Sequence, residues 1–236
     1  MNQKQLLEWY NTPLGKELAK LEHKQLAQIL TKLPGNHLLQ LGTLGTQWLD
    51  ASRVMYKWTL DPCKECQPSV LANYDELPFP KEMFDIVILP HVLENAANYP
   101  AVLREAARVM SGEGCLVILG FNPYSLATLS KAKPGLRKLP NLHKLRYWLK
   151  QSSCEVETAK TFFYRPFTQQ KKLLLKLQAL EIIGQMGWAG FGSCYIILAR
   201  KKITAVIPLQ QKLKNWWRYL TTKPMVEPST RNQINE

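Results

Sequence analysis

The chain has 236 residues, 46% of them hydrophobic, enough for one sizeable α/β domain with an appendage but not for two full domains. No run of about 18 apolar residues is present, and the opening Met1-Asn2-Gln3-Lys4-Gln5 lacks the core of an export signal, so no membrane span and a cytoplasmic location are expected. Charge is uneven: residues 1–130 carry 11 Lys+Arg against 13 Asp+Glu, whereas residues 131–236 carry 20 against 5.

A basic back half suits a polyanionic partner, either nucleic acid or an anionic membrane surface, contacted through residues 131–236. It equally suits a solvated face with a disordered tail, and charge alone does not choose. Five cysteines, at 63, 66, 115, 154 and 194, are odd in number and scattered, so no disulfide framework is expected. Cys63-Lys64-Glu65-Cys66 has the CxxC spacing of zinc or redox sites. Without a second cysteine or histidine pair it reads first as a surface loop, and no metal is expected.

Two helical segments open the chain. Thr12-Pro13 is a start signal, a hydroxyl cap followed by proline in the first turn. Leu14, Leu18, Leu21, Leu26, Ile29 and Leu33 then recur at helical spacing up to Pro34-Gly35, as in a helix packed on a sheet. His37 to Gly42 reads as a short strand with a turn at Thr43–Thr46, followed by a helical stretch. Val54–Leu60 is a second strand stopped by Asp61-Pro62, and Ser69–Ala72 a third.

Leu77-Pro78-Phe79 is a turn. Phe84-Asp85 then leads into the continuously apolar Ile86-Val87-Ile88-Leu89, the mark of a strand covered on both faces, and a loop that opens a helix follows. Tyr99–Met110 is an amphipathic helix, Ser111–Gly114 a breaker and Cys115–Leu119 a fifth strand. Beyond Asn122-Pro123 the rhythm changes. A Lys- and Pro-rich loop or lid spans Lys131–Pro140, a helix Asn141–Gln151 and a strand Glu155–Phe163. A helical piece at Leu180–Gly187 and a final strand at Cys194–Ala199 complete the pattern, and from about Gln210 the chain reads as a disordered tail.

Alternating strands and helices predict an α/β fold with a doubly wound, mostly parallel sheet and helices on both faces. The expected division is an N-terminal helical segment (1–34), the main domain (35–205, with a basic insert or lid at 131–170) and a basic tail (206–236). Ligands of such sheets sit beyond the carboxyl ends of the strands, which places a site at Pro90 and His91. A nucleotide-like cofactor there needs a glycine turn after the first strand, an acid after the second for ribose, and a polar side chain after the third for the adenine edge. Gly42, Asp61 and Asn73 occupy these places. Asp61 reads equally as a turn residue because proline follows it.

The words Leu77-Pro78-Phe79, Phe84-Asp85-Ile86-Val87, His91-Val92-Leu93-Glu94, Leu103-Arg104-Glu105 with Arg108-Val109, and Gly112-Glu113-Gly114 occur in order. Over about residues 36–121 they resemble the methyltransferase type 11 group of class I S-adenosylmethionine-dependent methyltransferases. Gly120-Phe121-Asn122-Pro123 and Phe191–Lys201 resemble the bacterial YafS-like branch. The resemblance implies a seven-stranded Rossmann-like sheet with the last strand antiparallel, S-adenosyl-L-methionine as cofactor, and an unknown methyl acceptor. On the family's Asp-x-Gly-x-Gly-x-Gly register, Gln40 replaces the acid, Gly42 is kept, and Leu44 and Thr46 replace the later glycines.

The implied cofactor set is Gln40, Gly42, Thr43, Asp61, Asn73, Tyr74 and Pro90. His91 is the candidate for facing the methyl group or acting as a base, although a loop histidine more often bonds the backbone. Glu94 reads as an early-helix acid. Asn122-Pro123-Tyr124 resembles the Asn-Pro-Pro-Tyr signature of amino-group methyltransferases but follows the wrong strand, and is read as a turn. The competing reading is a catalytically impaired protein of this fold that docks nucleic acid or an anionic surface through its basic half.

Overall fold

The structure, a computed structural model, describes residues 3–123, 125, 141–164 and 192–202. The Lys131–Pro140 loop, the Leu180–Gly187 piece and the tail lie outside the described residues. A seven-stranded sheet in the order β3-β2-β1-β4-β5-β7-β6 forms the centre. Its strands are β1 (His37–Leu41), β2 (Tyr56–Asp61), β3 (Val70–Leu71), β4 (Phe84–Pro90), β5 (Met110–Phe121), β6 (Cys154–Phe162) and β7 (Cys194–Lys201). The pairs of β1 with β2 and β4, of β2 with β3 and of β4 with β5 are parallel, whereas β7 runs antiparallel to both β5 and β6.

The apolar run of β4 is what a strand with two covered faces requires. Ile86 and Ile88 enter one core layer with Leu38, Val117 and Leu119; Val87 and Leu89 enter the other with Leu39, Leu60 and Leu116. Helices α1 (Gln3–Tyr10) and α2 (Pro13–Leu30) cover the first layer through Leu6, Leu14, Leu18, Leu26 and Leu30. Thr12 caps α2 by accepting from Gly15 N–H at 3.1 Å. Helix α3 (Tyr99–Val109) and helix α4 (Leu142–Gln151) cover the second layer.

The helical stretch expected after β1 is a 3-10 helix, Thr46–Ala51, in which Trp48 and Leu49 are buried. Two expectations are corrected. Ser111–Gly114 does not break the chain but forms a bulge within β5, whose pairing with β4 jumps from Phe84–Met110 to Ile86–Cys115. The loop after β4 does not open a helix at Glu94; α3 begins at Tyr99, where the Asn98 side chain accepts from Ala101 N–H at 3.2 Å.

The sequence words of the middle segment bond to one another. Arg108 donates to the carbonyls of Phe79 and Leu77 at 2.9 Å each and pairs with Glu105, and Glu105 in turn accepts from Leu77 N–H at 3.0 Å. Asp85 accepts from the N–H groups of Asn36 and His37 at 2.7 and 3.1 Å, pinning the start of β1. These words therefore build the scaffold.

Candidate functional site

The strand order reverses between β1 and β4, and a cleft of about 700 Å³ opens beside that point, beyond the ends of β2 and β4. Its walls come from the segment after β2 (Asp61, Cys63), the turn after β3 (Asn73, Tyr74) and the loop before α3 (Asn95, Asn98). The volume is that of a small-molecule site. Asn73 is exposed into it, and the Tyr74 hydroxyl is buried beside the Asp61 carboxylate. Burial first, then the Asp61 carboxylate, pushes the Tyr74 phenol well upward, so Tyr74 is a neutral donor at physiological pH.

The turn after β1 faces inward. Gly42, at φ 82°, adopts a left-handed conformation suited to glycine, and its N–H donates to Leu60 O at 2.7 Å. Thr43 donates to Asp61 Oδ2 through its N–H at 3.0 Å and its hydroxyl at 3.1 Å, and Cys63 N–H donates to Asp61 Oδ1 at 2.8 Å. Asp61 is fully buried, holding the turn as well as edging the cleft. The buried Gln40 donates through Nε2 to the carbonyls of Gly42 and Leu44 at 2.8 and 2.9 Å. An amide can make both bonds and an ionised carboxylate neither, which gives glutamine a role at this position. Gln40 Oε1 is buried and unpartnered.

Pro90 ends β4 and is buried, and the next residue, His91, has φ 55° and no exposed surface. Its Nε2 lies 2.9 Å from Glu22 Oε1 and its Nδ1 2.8 Å from Glu94 Oε1. Burial alone would lower its pKa, but the Glu94 and Glu22 carboxylates overcome that and raise it to about 10. The ring is thus an imidazolium donating from both nitrogens. Tyr10 donates to the same Glu22 carboxylate at 2.8–2.9 Å, and Phe121 N–H donates to Glu94 Oε1 at 2.8 Å.

Two expectations change accordingly. His91 is a structural cation rather than a methyl-facing base, since both its nitrogens are engaged and no solvent reaches it. Glu94 is not an early-helix acid: it lies in the turn before α3 and ties β4 to the end of β5. Glu22 and Tyr10 were not anticipated. The available signal was a charged residue at helical spacing among Leu14, Leu18 and Leu26, on the apolar face of α2. Asn95 and Asn98 were missed as wall residues because nothing in a polar loop marks which members face a cleft.

The methyltransferase domain family model matches residues 36–118. An uncharacterised Escherichia coli protein, YafS, is 30% identical over 209 residues, spanning 85% of this chain and 82% of that one. The chain belongs to the type 11 group of class I S-adenosylmethionine-dependent methyltransferases. The ubiquinone/menaquinone biosynthesis C-methyltransferase of Vibrio parahaemolyticus is 39% identical over 62 residues, but the match spans only 24% of that protein.

Solved structures similar to this one include an S-adenosylmethionine-dependent methyltransferase from Thermotoga maritima (TM-score 0.57, 14% identity, 84% of this chain and 96% of that one). One from Aquifex aeolicus matches with TM-score 0.57 at 11% identity, over 85% and 98% of the two chains. At these identities they establish the fold alone. The [4+2]-cyclase SpnF shares it too, at TM-score 0.54 and 17% identity over 78% and 81% of the two chains.

Of the residues that the resemblance implied, Asp61, Asn73 and Tyr74 line the cleft. Among the described residues no helix is long and apolar enough to cross a membrane.

Proposed function

We propose that the chain binds S-adenosylmethionine and transfers its methyl group to an acceptor not identified by these residues. The observation that carries the reading is the cleft beside the strand-order reversal, with the Asp61 carboxylate, the buried Tyr74 hydroxyl and the exposed Asn73 on its wall. When bound, the cofactor supplies an electrophilic methyl on a sulfonium.

Asn73 accepts from the adenine amino group, Tyr74 donates, and Asp61 takes one ribose hydroxyl on the single Oδ1 lone pair that Thr43 and Cys63 leave open. Gln40, Gly42, Thr43 and Pro90 are buried and do not line this cleft; Thr43 acts through the Asp61 carboxylate that it holds. His91 is a positioning residue: with Glu94 and Glu22 it fixes where the end of β4 stands. No base is assigned, because holding a nucleophile in line with the methyl lowers the barrier substantially without one.

The test is binding of S-adenosylmethionine and S-adenosylhomocysteine, measured by calorimetry and thermal unfolding. At a hundredfold excess over Kd the ligand adds about 2.7 kcal/mol, a Tm rise of about 5–10 °C for a domain of this size. Asn73→Ala is expected to weaken binding about tenfold, the loss of one hydrogen bond to a buried polar edge. No shift at millimolar ligand overturns the reading and favours the impaired, non-catalytic alternative.

A further inference from the structure

The segment after β2 carries a second group of side chains that the cofactor reading uses only in part. One donor atom each from Asp61, Cys63 and Cys66 lie within 4.8 Å of one another. The local chain is built to bring them together. Cys63 N–H bonds back to Asp61 Oδ1, a 3-10 turn over Lys64–Cys66 returns Cys66 to the same side, and Gln67, at φ 51°, ends the turn.

A tetrahedral centre with metal–sulfur bonds of about 2.3 Å and a metal–oxygen bond of about 2.0 Å sets its donor atoms about 3.5–3.8 Å apart. The 4.8 Å that encloses the three donors here is about 1 Å wider than that spacing. The carboxylate is already oriented from behind by the Thr43 N–H and hydroxyl, the kind of support that metal-ligating carboxylates have. Both thiols are half-buried, and Cys63 stands on the cleft wall, which leaves an ion a route in; Cys115, Cys154 and Cys194 are buried.

Sulfur donors exclude magnesium and calcium and favour zinc or another thiophilic divalent ion. We propose that Asp61, Cys63 and Cys66 bind one such ion, Zn²⁺ being the best match, with its fourth position open to the cleft. Binding of M²⁺ to the two thiols releases two protons to solvent and changes no oxidation state. The sequence alone hid the site because the third ligand stands two residues ahead of the CxxC pair, at the position that reads as a ribose acid.

The full chain, stripped with a chelator and kept in a phosphine reductant, is titrated with Co²⁺. One equivalent is expected to raise a thiolate-to-cobalt charge-transfer band that one equivalent of Zn²⁺ then abolishes. Cys63→Ser and Cys66→Ser are each expected to weaken Co²⁺ binding at least tenfold, with folding checked by circular dichroism. Should either serine variant unfold, Cys66→His, which keeps a zinc ligand, is expected to retain one ion. Absence of the band while both thiols react fully with a disulfide reagent overturns the proposal. So does a band of full intensity in the Cys63→Ser/Cys66→Ser double variant, or a Cys63–Cys66 disulfide that survives the reductant. No methyl donor enters the experiment, so its failure leaves the cofactor reading untouched.

Discussion

Replacing His91 by Gln tests the buried ionic network directly. His91 lies fully buried between Glu22 and Glu94 at 2.9 and 2.8 Å. A rise of its pKa from 6.5 to about 10 corresponds to roughly 5 kcal/mol of preference for the protonated form. Removing the cation from a buried pair costs about 3–5 kcal/mol, because the carboxylates left behind are uncompensated. The folded pKa is raised, so the wild-type advantage is complete below pH 6.5 and lost as pH rises through about 10. Urea unfolding of both proteins at steps from pH 6 to pH 10 measures it. The difference in unfolding free energy is expected near 3–5 kcal/mol at pH 6 and to shrink steadily above pH 7. A difference under about 1 kcal/mol at pH 6, or one independent of pH, refutes the assignment of a buried imidazolium.

Tyr74→Phe is expected to change the unfolding free energy of the ligand-free protein by no more than about 1 kcal/mol, since its hydroxyl faces only the Asp61 carboxylate, while weakening S-adenosylhomocysteine binding several-fold by calorimetry. Arg108→Gln is expected to destabilise by about 1–3 kcal/mol in chemical unfolding, since the backbone carbonyls of Leu77 and Phe79 lose their charged donor. Gly120→Ala is expected to cost about 1–3 kcal/mol in chemical unfolding, since its Cβ would stand 2.4 Å from the Tyr195 hydroxyl oxygen and 2.5 Å from the ring carbon that bears it.

Much of the fold was legible because one segment has both faces covered. Ile86 to Leu89 leaves no polar position at either period, which places it centrally in a parallel sheet, and its neighbours follow from the alternating rhythm. The helix expected after β1 was not legible as a 3-10 turn, because Trp48 and Leu49 satisfy an apolar pattern in either form and tertiary packing decides. The bulge at Ser111–Gly114 was read as a break because glycines mark both. Of the site, Asp61, Asn73 and Tyr74 were placed by counting from strand ends, and the structure sets all three on one cleft. Gln40 reads as a lost acid in sequence, and only its two bonds to the Gly42 and Leu44 carbonyls reveal a glutamine fitted to its own turn. Glu22 stayed hidden because its partner is 69 residues away.

The long-range tie from Glu22 to His91 also decides where this domain begins. The matched methyltransferase model starts at residue 36, which makes the first helices look dispensable. A truncation at that boundary would remove both Glu22 and Tyr10, strip α1 and α2 from one whole core layer, and expose an imidazolium and a carboxylate at the end of β4. The smallest piece that keeps this core layer covered therefore starts ahead of Leu6, and a fragment cut to the family boundary would report on a different molecule.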